Sequence, residues 1–213
     1  MDVTRDGCDA YVALPAAPGG RGILVLHEAF GLTDDIRRIT DGLAGHGYVA
    51  VAPAMLRRGC LLRTLRSESR NHLLDGWRHY LREEHAVRKD AVIGFCLGGA
   101  FALAYAAAGP DEPLAAVAPN YGFVPRDLSR LCPVVGSYGA EGKRLVPQAE
   151  RLDRELSALG VDRDVKIYPG AGHSFMNQHQ GGVASLAARL GPIGYRAEDA
   201  WRRIHSFLDK HMA

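Results

Sequence analysis

The sequence lacks any apolar stretch long enough to cross a membrane, and its first residues include acidic side chains without an apolar core. We therefore expect no membrane association, no secretory signal and a cytoplasmic protein. The sequence also lacks blocks of one charge sign, because 26 basic and 24 acidic side chains are interspersed and leave a formal net charge of +2. Phosphate backbones attract clustered positive charge, so nucleic acid is not an expected partner.

Cysteine pairs of the C-x-x-C kind are also missing. The four cysteines stand far apart in the sequence, at Cys8, Cys60, Cys96 and Cys132. This spacing argues against a disulfide scaffold and against a zinc site, and it predicts reduced thiols. The histidines of the long helical stretch do not form the i, i+4 pair that chelates a metal. We expect neither a metal nor another cofactor.

The sequence does contain enough apolar material for one core, with 47% hydrophobic residues in a chain of 213. Short apolar runs alternate with helical patterns, which is typical of an α/β protein with a mostly parallel sheet and helices on both faces. We expect one domain over residues 1–213. The predicted strands are 23–27, 48–52, 91–95, 114–119, 133–138 and 164–168, and the predicted helices are 33–44, 68–87, 97–108, 146–159 and 197–212.

Three segments without a regular pattern follow predicted strands, at 54–65, 121–131 and 171–195. In open α/β sheets, ligands bind beyond the carboxyl ends of the strands, so these segments are the expected walls of a pocket. The first of them overlaps a basic stretch over residues 57–70, where five arginines stand against Glu68 alone. We interpret this stretch as a solvated loop and helix face.

The most informative motif places one cysteine between two glycines, in the run Gly94-Phe95-Cys96-Leu97-Gly98. The spacing predicts a nucleophile elbow, a sharp turn that exposes the thiol and directs the Leu97 N–H toward the oxygen of an attacked carbonyl. The thiol would lie at a helix N-terminus, where the helix dipole favours the thiolate. The alternative is a buried cysteine in an ordinary turn between a strand and a helix.

Two further segments place polar side chains at strand ends. His173 follows the last predicted strand and suits a general base for a thiol nucleophile. Glu28 ends the first predicted strand, where it could lie close to the thiol, and the Ala29 N–H is a candidate second donor to an oxyanion. The alternatives are a histidine and a carboxylate that simply face solvent.

These segments together resemble the dienelactone hydrolase family of α/β-hydrolases, through His27-Glu28-x-x-Gly31-Leu32, Gly94-Phe95-Cys96-x-Gly98-Gly99 and Gly172-His173-x-Phe175. The resemblance implies an α/β-hydrolase fold with Cys96 as nucleophile and His173 as base. It also implies that the Glu28 carboxylate holds the resting thiol until substrate displaces it. The N–H groups of Leu97 and Ala29 would form the oxyanion hole.

Two residues that the family resemblance leads us to expect are missing. The family places an aspartate three residues beyond a glycine after the strand 133–138, and Gly142 stands at that position. Glu141 is the candidate replacement for this triad acid, and Asp127 is the second candidate. Asn177 stands about where the family has a carboxylate-binding arginine, which argues against a dienelactone substrate.

The sequence therefore predicts a metal-independent hydrolase of small esters or lactones that acts through a thioester acyl-enzyme. The alternative is an impaired α/β-hydrolase that binds a small molecule or a protein without turnover, because Gly142 replaces the expected acid. A redox-sensing thiol at Cys96 is a third alternative, although no second cysteine is adjacent in sequence. We expect a monomer or a homodimer with a small-molecule substrate.

Overall fold

An eight-stranded sheet organises the computed structural model of this protein, which describes residues 1–57, 60, 64–178 and 192–213. The strands lie in the order β1-β2-β4-β3-β5-β6-β7-β8. The second strand runs antiparallel to both of its neighbours, and the other neighbouring pairs are parallel. The strands span Asp2–Arg5 (β1), Cys8–Ala13 (β2), Arg21–Leu26 (β3), Val49–Pro53 (β4), Lys89–Phe95 (β5), Ala116–Asn120 (β6), Val134–Gly139 (β7) and Arg163–Tyr168 (β8).

The helices of the described residues connect or follow these strands. They span Asp34–Gly45 (α1), Ser67–His85 (α2), Leu97–Ala108 (α3), Val146–Ala158 (α4) and Pro192–Met212 (α5). The first helix begins after Thr33, whose side-chain oxygen accepts the Ile36 N–H at 3.4 Å. The third helix ends before Gly109, which has a φ of 66° and therefore stops the helix in the left-handed region. A bilayer crossing needs a long apolar helix, and the described residues contain none.

The predicted fold class, an α/β-hydrolase fold with a mostly parallel sheet, is confirmed by this architecture. The central strands β3, β4 and β5 are almost wholly buried, which explains why they are continuous apolar runs in the sequence. The predicted helix over 97–108 coincides with α3, whereas α5 begins five residues earlier than predicted. The strands β1 and β2 were not predicted, because the first is short and half-exposed and neither is a continuous apolar run.

One expectation about the cysteines is wrong. Cys8, at the start of β2, forms a disulfide bond with Cys60, in the loop after β4, and the two Cα atoms are 5.3 Å apart. The sequence spacing could not reveal this pair, because β2 was not predicted and the two cysteines are 52 residues apart. Disulfides persist in oxidising surroundings, so the bond removes the support that reduced cysteines lent to a cytoplasmic location. Cys96 and Cys132 are free.

The interpretation of the basic stretch as solvated is wrong for Arg70. This arginine lies on the buried stripe of α2 with Leu73, Leu74 and Trp77, which follow it at helical spacing. Its side chain is only 8% exposed, and its guanidinium lies 4.7 Å from the centre of the Phe101 ring on α3. Among the described residues its Nε has no hydrogen-bond partner.

Candidate active site

The candidate site lies at the carboxyl ends of four parallel strands. Glu28 follows β3, Cys96 follows β5, Tyr121 follows β6, and His173 comes after β8. The strand β5 lies between β3 and β6 in the sheet, so Glu28 and Tyr121 flank the cysteine from opposite sides. This is the edge of the sheet where ligands bind in open α/β folds.

Cys96 forms the sharp turn between β5 and α3 that the sequence predicts. Its φ of 53° and ψ of −113° are strained for a residue with a side chain. The turn is possible because glycines allow very close backbone approaches on either side of the cysteine. A Cβ atom on Gly94 would lie 2.1 Å from the Gly98 oxygen, and one on Gly98 would lie 2.1 Å from the Leu26 oxygen. The same packing brings the start of α3 against the end of β3, where Ala29 follows.

His173 lies directly beside the thiol. Its Nε2 is 3.0 Å from the Cys96 Sγ, within hydrogen-bond distance for a sulfur. The Tyr121 ring and the imidazole pack in a T-shaped arrangement, with the two ring centres 5.3 Å apart and an interplanar angle of 65°. The structure thus brings together the candidate nucleophile and base, which are 77 residues apart in sequence.

The ionisation of Cys96 differs from the expectation based on the helix dipole. Burial raises the pKa of the thiol, the Leu97 backbone N–H lowers it, and the nearby Glu28 carboxylate raises it further. The net effect is a pKa above the ordinary value, so the resting group is the thiol rather than the thiolate. This direction is opposite to the one that the helix N-terminus alone predicts, because burial and a like charge outweigh the helix N-terminus. It agrees with the resting thiol that the family resemblance implies.

Glu28 is buried beside Ser174, the residue that follows His173. The Ser174 hydroxyl donates a hydrogen bond to its Oε1, and Ser174 adopts a φ of 62° to present that hydroxyl. The Glu28 carbonyl accepts the Gly31 N–H at 3.1 Å in a tight turn, and the His27 Nδ1 lies 2.6 Å from the same oxygen. These contacts fix the backbone of the turn that carries the Ala29 N–H.

The three positions considered for the triad acid lie in different surroundings. The Glu141 side chain is exposed, and within the described residues its carboxylate forms no hydrogen bond with His173. Its backbone N–H donates to the Ala171 carbonyl at 3.0 Å, so its loop packs against the segment that leads to the histidine. Asp127 is exposed and accepts the Ser129 N–H at 2.9 Å, which lowers the pKa of its carboxyl. Gly142 follows Glu141 in the same turn.

Two features of the structure were missed by sequence reasoning. The first is a hydrogen-bonded link from Tyr121 through Asn177 to Asp35 on α1, whose members come from three distant segments. The second is the buried Arg70, whose i+3, i+4 and i+7 apolar neighbours were a helical-periodicity signal for burial. Among the described residues no cluster of metal-ligating side chains is present.

The elbow cysteine, the adjacent histidine and the mostly parallel sheet define a hydrolase of the α/β-hydrolase class. More specifically, the chain belongs to the dienelactone hydrolase family, whose family model matches residues 8–212. Both the predicted family and the predicted hydrolase class are confirmed.

Named relatives cover most of this chain. The carboxymethylenebutenolidase of Rhodococcus opacus is 25% identical over 217 residues, which cover 91% of this chain and 82% of that protein. Protein usf of Aquifex pyrophilus is 28% identical, and the matched residues cover 95% of this chain and 93% of that protein. The crystal structure of P91, a dienelactone hydrolase-like promiscuous phosphotriesterase from metagenomic libraries, superposes with a TM-score of 0.71. The superposition covers 100% of this chain and 97% of the P91 chain at 23% sequence identity. It shows that the two proteins share the fold.

Proposed function

We propose that this protein hydrolyses small esters or lactones, with Cys96 as the nucleophile and a thioester acyl-enzyme as the intermediate. The observation that carries the proposal is the 3.0 Å contact between the Cys96 Sγ and the His173 Nε2 on a strained elbow. Every step of the proposed reaction uses groups of this chain and no metal.

In the acylation step, the Cys96 thiol gives its proton to the His173 Nε2 while the sulfur attacks the carbonyl carbon of the ester. The negative charge moves to the carbonyl oxygen, where the N–H groups of Leu97 and Ala29 would stabilise it. Collapse of this intermediate breaks the ester C–O bond, and the imidazolium returns the proton to the leaving alkoxide. The acyl group then remains on the sulfur as a thioester.

In the second step, His173 takes a proton from a water molecule whose oxygen attacks the thioester carbonyl. The C–S bond breaks, the acid is released, and the proton returns to the Cys96 sulfur. The raised pKa of the resting thiol is compatible with this cycle, because the proton leaves only as the new C–S bond forms. Burial raises that pKa most, and the charge of Glu28 raises it further, so the resting site keeps the thiol form.

The substrate is proposed to carry a carboxylate as well as the ester. Arg70 is a buried cation without an acidic partner among the described residues, and buried arginines are otherwise paired. It packs on Phe101 of α3, the helix that begins beside Cys96, and helical side chains lean toward the helix N-terminus. The name of the Rhodococcus opacus relative likewise denotes a lactone with a carboxymethylene group. Phe30 and Phe123 are exposed on the loops after β3 and β6 and provide apolar surface for the rest of the substrate.

Hydrolysis of two matched esters tests both parts of the proposal. Mono-4-nitrophenyl glutarate carries a terminal carboxylate, and 4-nitrophenyl 5-methylhexanoate carries an isopropyl group in its place. We expect Cys96→Ala and His173→Ala to lower kcat for both esters by about a thousandfold or more, since nucleophile and base act as a unit. Arg70→Met should raise KM for the glutarate ester by about tenfold or more and leave the other ester nearly unchanged.

The free cysteine outside the site provides the control. Cys132→Ala should keep wild-type kcat, because its thiol is not part of the site. Activity that survives in Cys96→Ala would contradict the proposed nucleophile. If Arg70→Met lowers kcat/KM equally for both esters, Arg70 supports the fold and does not bind the substrate carboxylate. Binding of both esters by the wild-type protein without turnover would favour the non-enzymatic alternative.

A further inference from the structure

A chain of three buried polar side chains leads from the first turn of α1 to the ring that contacts His173. The Tyr121 hydroxyl donates a hydrogen bond to the Asn177 Oδ1. The Asn177 Nδ2 in turn donates to the Asp35 Oδ2 at 2.9 Å. The same carboxylate oxygen accepts the Gln178 backbone N–H at 3.0 Å, so the Asp35 carboxylate binds the Asn177 side chain and the backbone of the next residue.

The hydrogen bonds from Tyr121 through Asn177 to Asp35 can run in one direction only. Arg38 holds the Asp35 carboxylate through its Nε and Nη2 at 3.1 and 2.6 Å, so Asp35 acts only as an acceptor. Asn177 must then direct its amide nitrogen toward Asp35 and its oxygen toward Tyr121. Burial raises the pKa of Tyr121 well above its ordinary value, and the charges of Glu28 and Asp35 raise it further, so the hydroxyl keeps its proton.

Tyr121 is also fixed at its backbone. Its φ of 44° lies in the left-handed region, and its N–H donates to the Ser137 carbonyl at 2.8 Å. Its ring contacts both the His173 imidazole and the Phe175 ring, with centres 5.3 and 5.8 Å apart. The ring therefore limits where the imidazole can lie, and the hydroxyl bond limits where the ring can lie.

We propose that Tyr121 and Asn177, anchored by Asp35, are positioning residues that hold the His173 imidazole at the Cys96 thiol. The proposal rests on the proposed function, because it assigns these residues to the same reaction. None of the three transfers a proton or contacts the reacting carbonyl. Their contribution is to keep the imidazole Nε2 within hydrogen-bond distance of the sulfur, and small displacements of a base reduce turnover strongly.

The test compares two buried tyrosines at the ends of neighbouring strands. Tyr121→Phe removes the hydroxyl that binds Asn177, whereas Tyr138→Phe removes a buried hydroxyl that has no hydrogen-bond partner among the described residues. We expect Tyr121→Phe to lower kcat for the 5-methylhexanoate ester about ten- to hundredfold and to leave KM within about twofold. Tyr138→Phe should leave both constants near the wild-type values.

A second readout does not require turnover. The rate of Cys96 alkylation by iodoacetamide, followed against pH, reports how the thiol gives up its proton in the presence of the imidazole. Tyr121→Phe should shift this profile and Tyr138→Phe should not. The double variant Tyr121→Phe/Asn177→Leu has apolar side chains at both positions. Its kcat should be no lower than that of the slower of the two single variants, Tyr121→Phe and Asn177→Leu.

The outcomes separate the two proposals. If Tyr121→Phe matches Tyr138→Phe in both kcat and alkylation profile, the positioning role is wrong. If Tyr121→Phe raises KM and leaves kcat unchanged, the residue contacts substrate instead, which also overturns the proposal. If the wild-type protein alkylates at Cys96 but hydrolyses neither ester, the proposed function has failed, and the alkylation profiles still decide the positioning role.

Discussion

Glu141 and Gly142 lie in a turn that packs directly against the backbone before His173. A Cβ atom on Gly139, at the start of this turn, would lie 2.4 Å from the Gly172 oxygen. Glu141 is exposed, and its backbone N–H donates to the Ala171 carbonyl at 3.0 Å. Gly142 does not have a positive φ, and a Cβ there would lie 3.2 Å from the Gly139 oxygen. An aspartate at this position therefore needs only a small local shift.

Substitutions in this turn test whether Glu141 orients the imidazole. We expect Glu141→Gln to lower kcat by no more than about tenfold, because its exposed carboxylate forms no hydrogen bond with His173 in the described part of the chain, whereas removal of a buried triad acid costs roughly ten-thousandfold. Gly142→Asp should raise kcat, because it adds a carboxylate at the position where the family has one. Asp127→Asn is the matched control and should leave kcat unchanged, since the Asp127 carboxylate is exposed and binds the Ser129 N–H. A thousandfold loss in Glu141→Gln would instead identify Glu141 as a full triad acid.

At the scale of residues, the sequence reveals contacts made by local motifs and misses contacts between distant segments. Cys96 and His173 each stand in a recognisable strand-to-loop motif, and their placement at one edge of the sheet follows from the order of the strands. Asn177 and Asp35 are 142 residues apart, and no local pattern pairs them. The ionisation of Cys96 was implied only by the family resemblance and not by the elbow motif itself, because the raised pKa of the thiol depends on burial and on Glu28.

At the scale of elements, the predicted central strands of the parallel part are continuous apolar runs, and the predicted helices follow helical patterns. The strands β3 to β8 and all the helices described were expected, with shifts of a few residues at their ends. The antiparallel pair β1 and β2 was missed because its side chains are partly exposed, so the apolar runs are short. The disulfide joins this unpredicted part to the loop between β4 and α2, the first of the expected pocket walls.

The disulfide should stabilise the fold without taking part in the reaction. Closing a loop of 52 residues lowers the entropy of the unfolded chain and corresponds to roughly 4 kcal/mol of stability in the chain-entropy account. We expect the double variant Cys8→Ser/Cys60→Ser to lower the free energy of urea unfolding by about 2–4 kcal/mol. Its kcat for the matched esters should remain near that of the wild type.

Dithiothreitol provides the control for this prediction. The reductant should destabilise the wild-type protein by the same amount and leave the double variant unchanged. Two free thiols at Cys8 and Cys60 in the untreated wild-type protein would contradict the observed bond.

At the scale of the whole molecule, the alternation of apolar runs and helical patterns was enough to predict the fold, because parallel strands must be joined by crossover helices. The same topology places the ends of β3, β5, β6 and β8 at one edge, which makes that edge the site. The sequence could not fix the substrate, since the proposal of a carboxylate-bearing ester depends on the burial of Arg70 and the exposure of Phe30 and Phe123. These depend on the packing of helices and loops over the finished sheet.

The central claim is that Cys96 carries the acyl group during turnover. The most direct measurement is intact-mass spectrometry of protein mixed with the 5-methylhexanoate ester and quenched in acid within the first turnovers, followed by peptide mapping. We predict one added acyl group on the peptide that contains Cys96, removed by neutral hydroxylamine as expected of a thioester, and absent from Cys96→Ala. An acyl group on any other residue, or wild-type turnover by Cys96→Ala, would contradict the account.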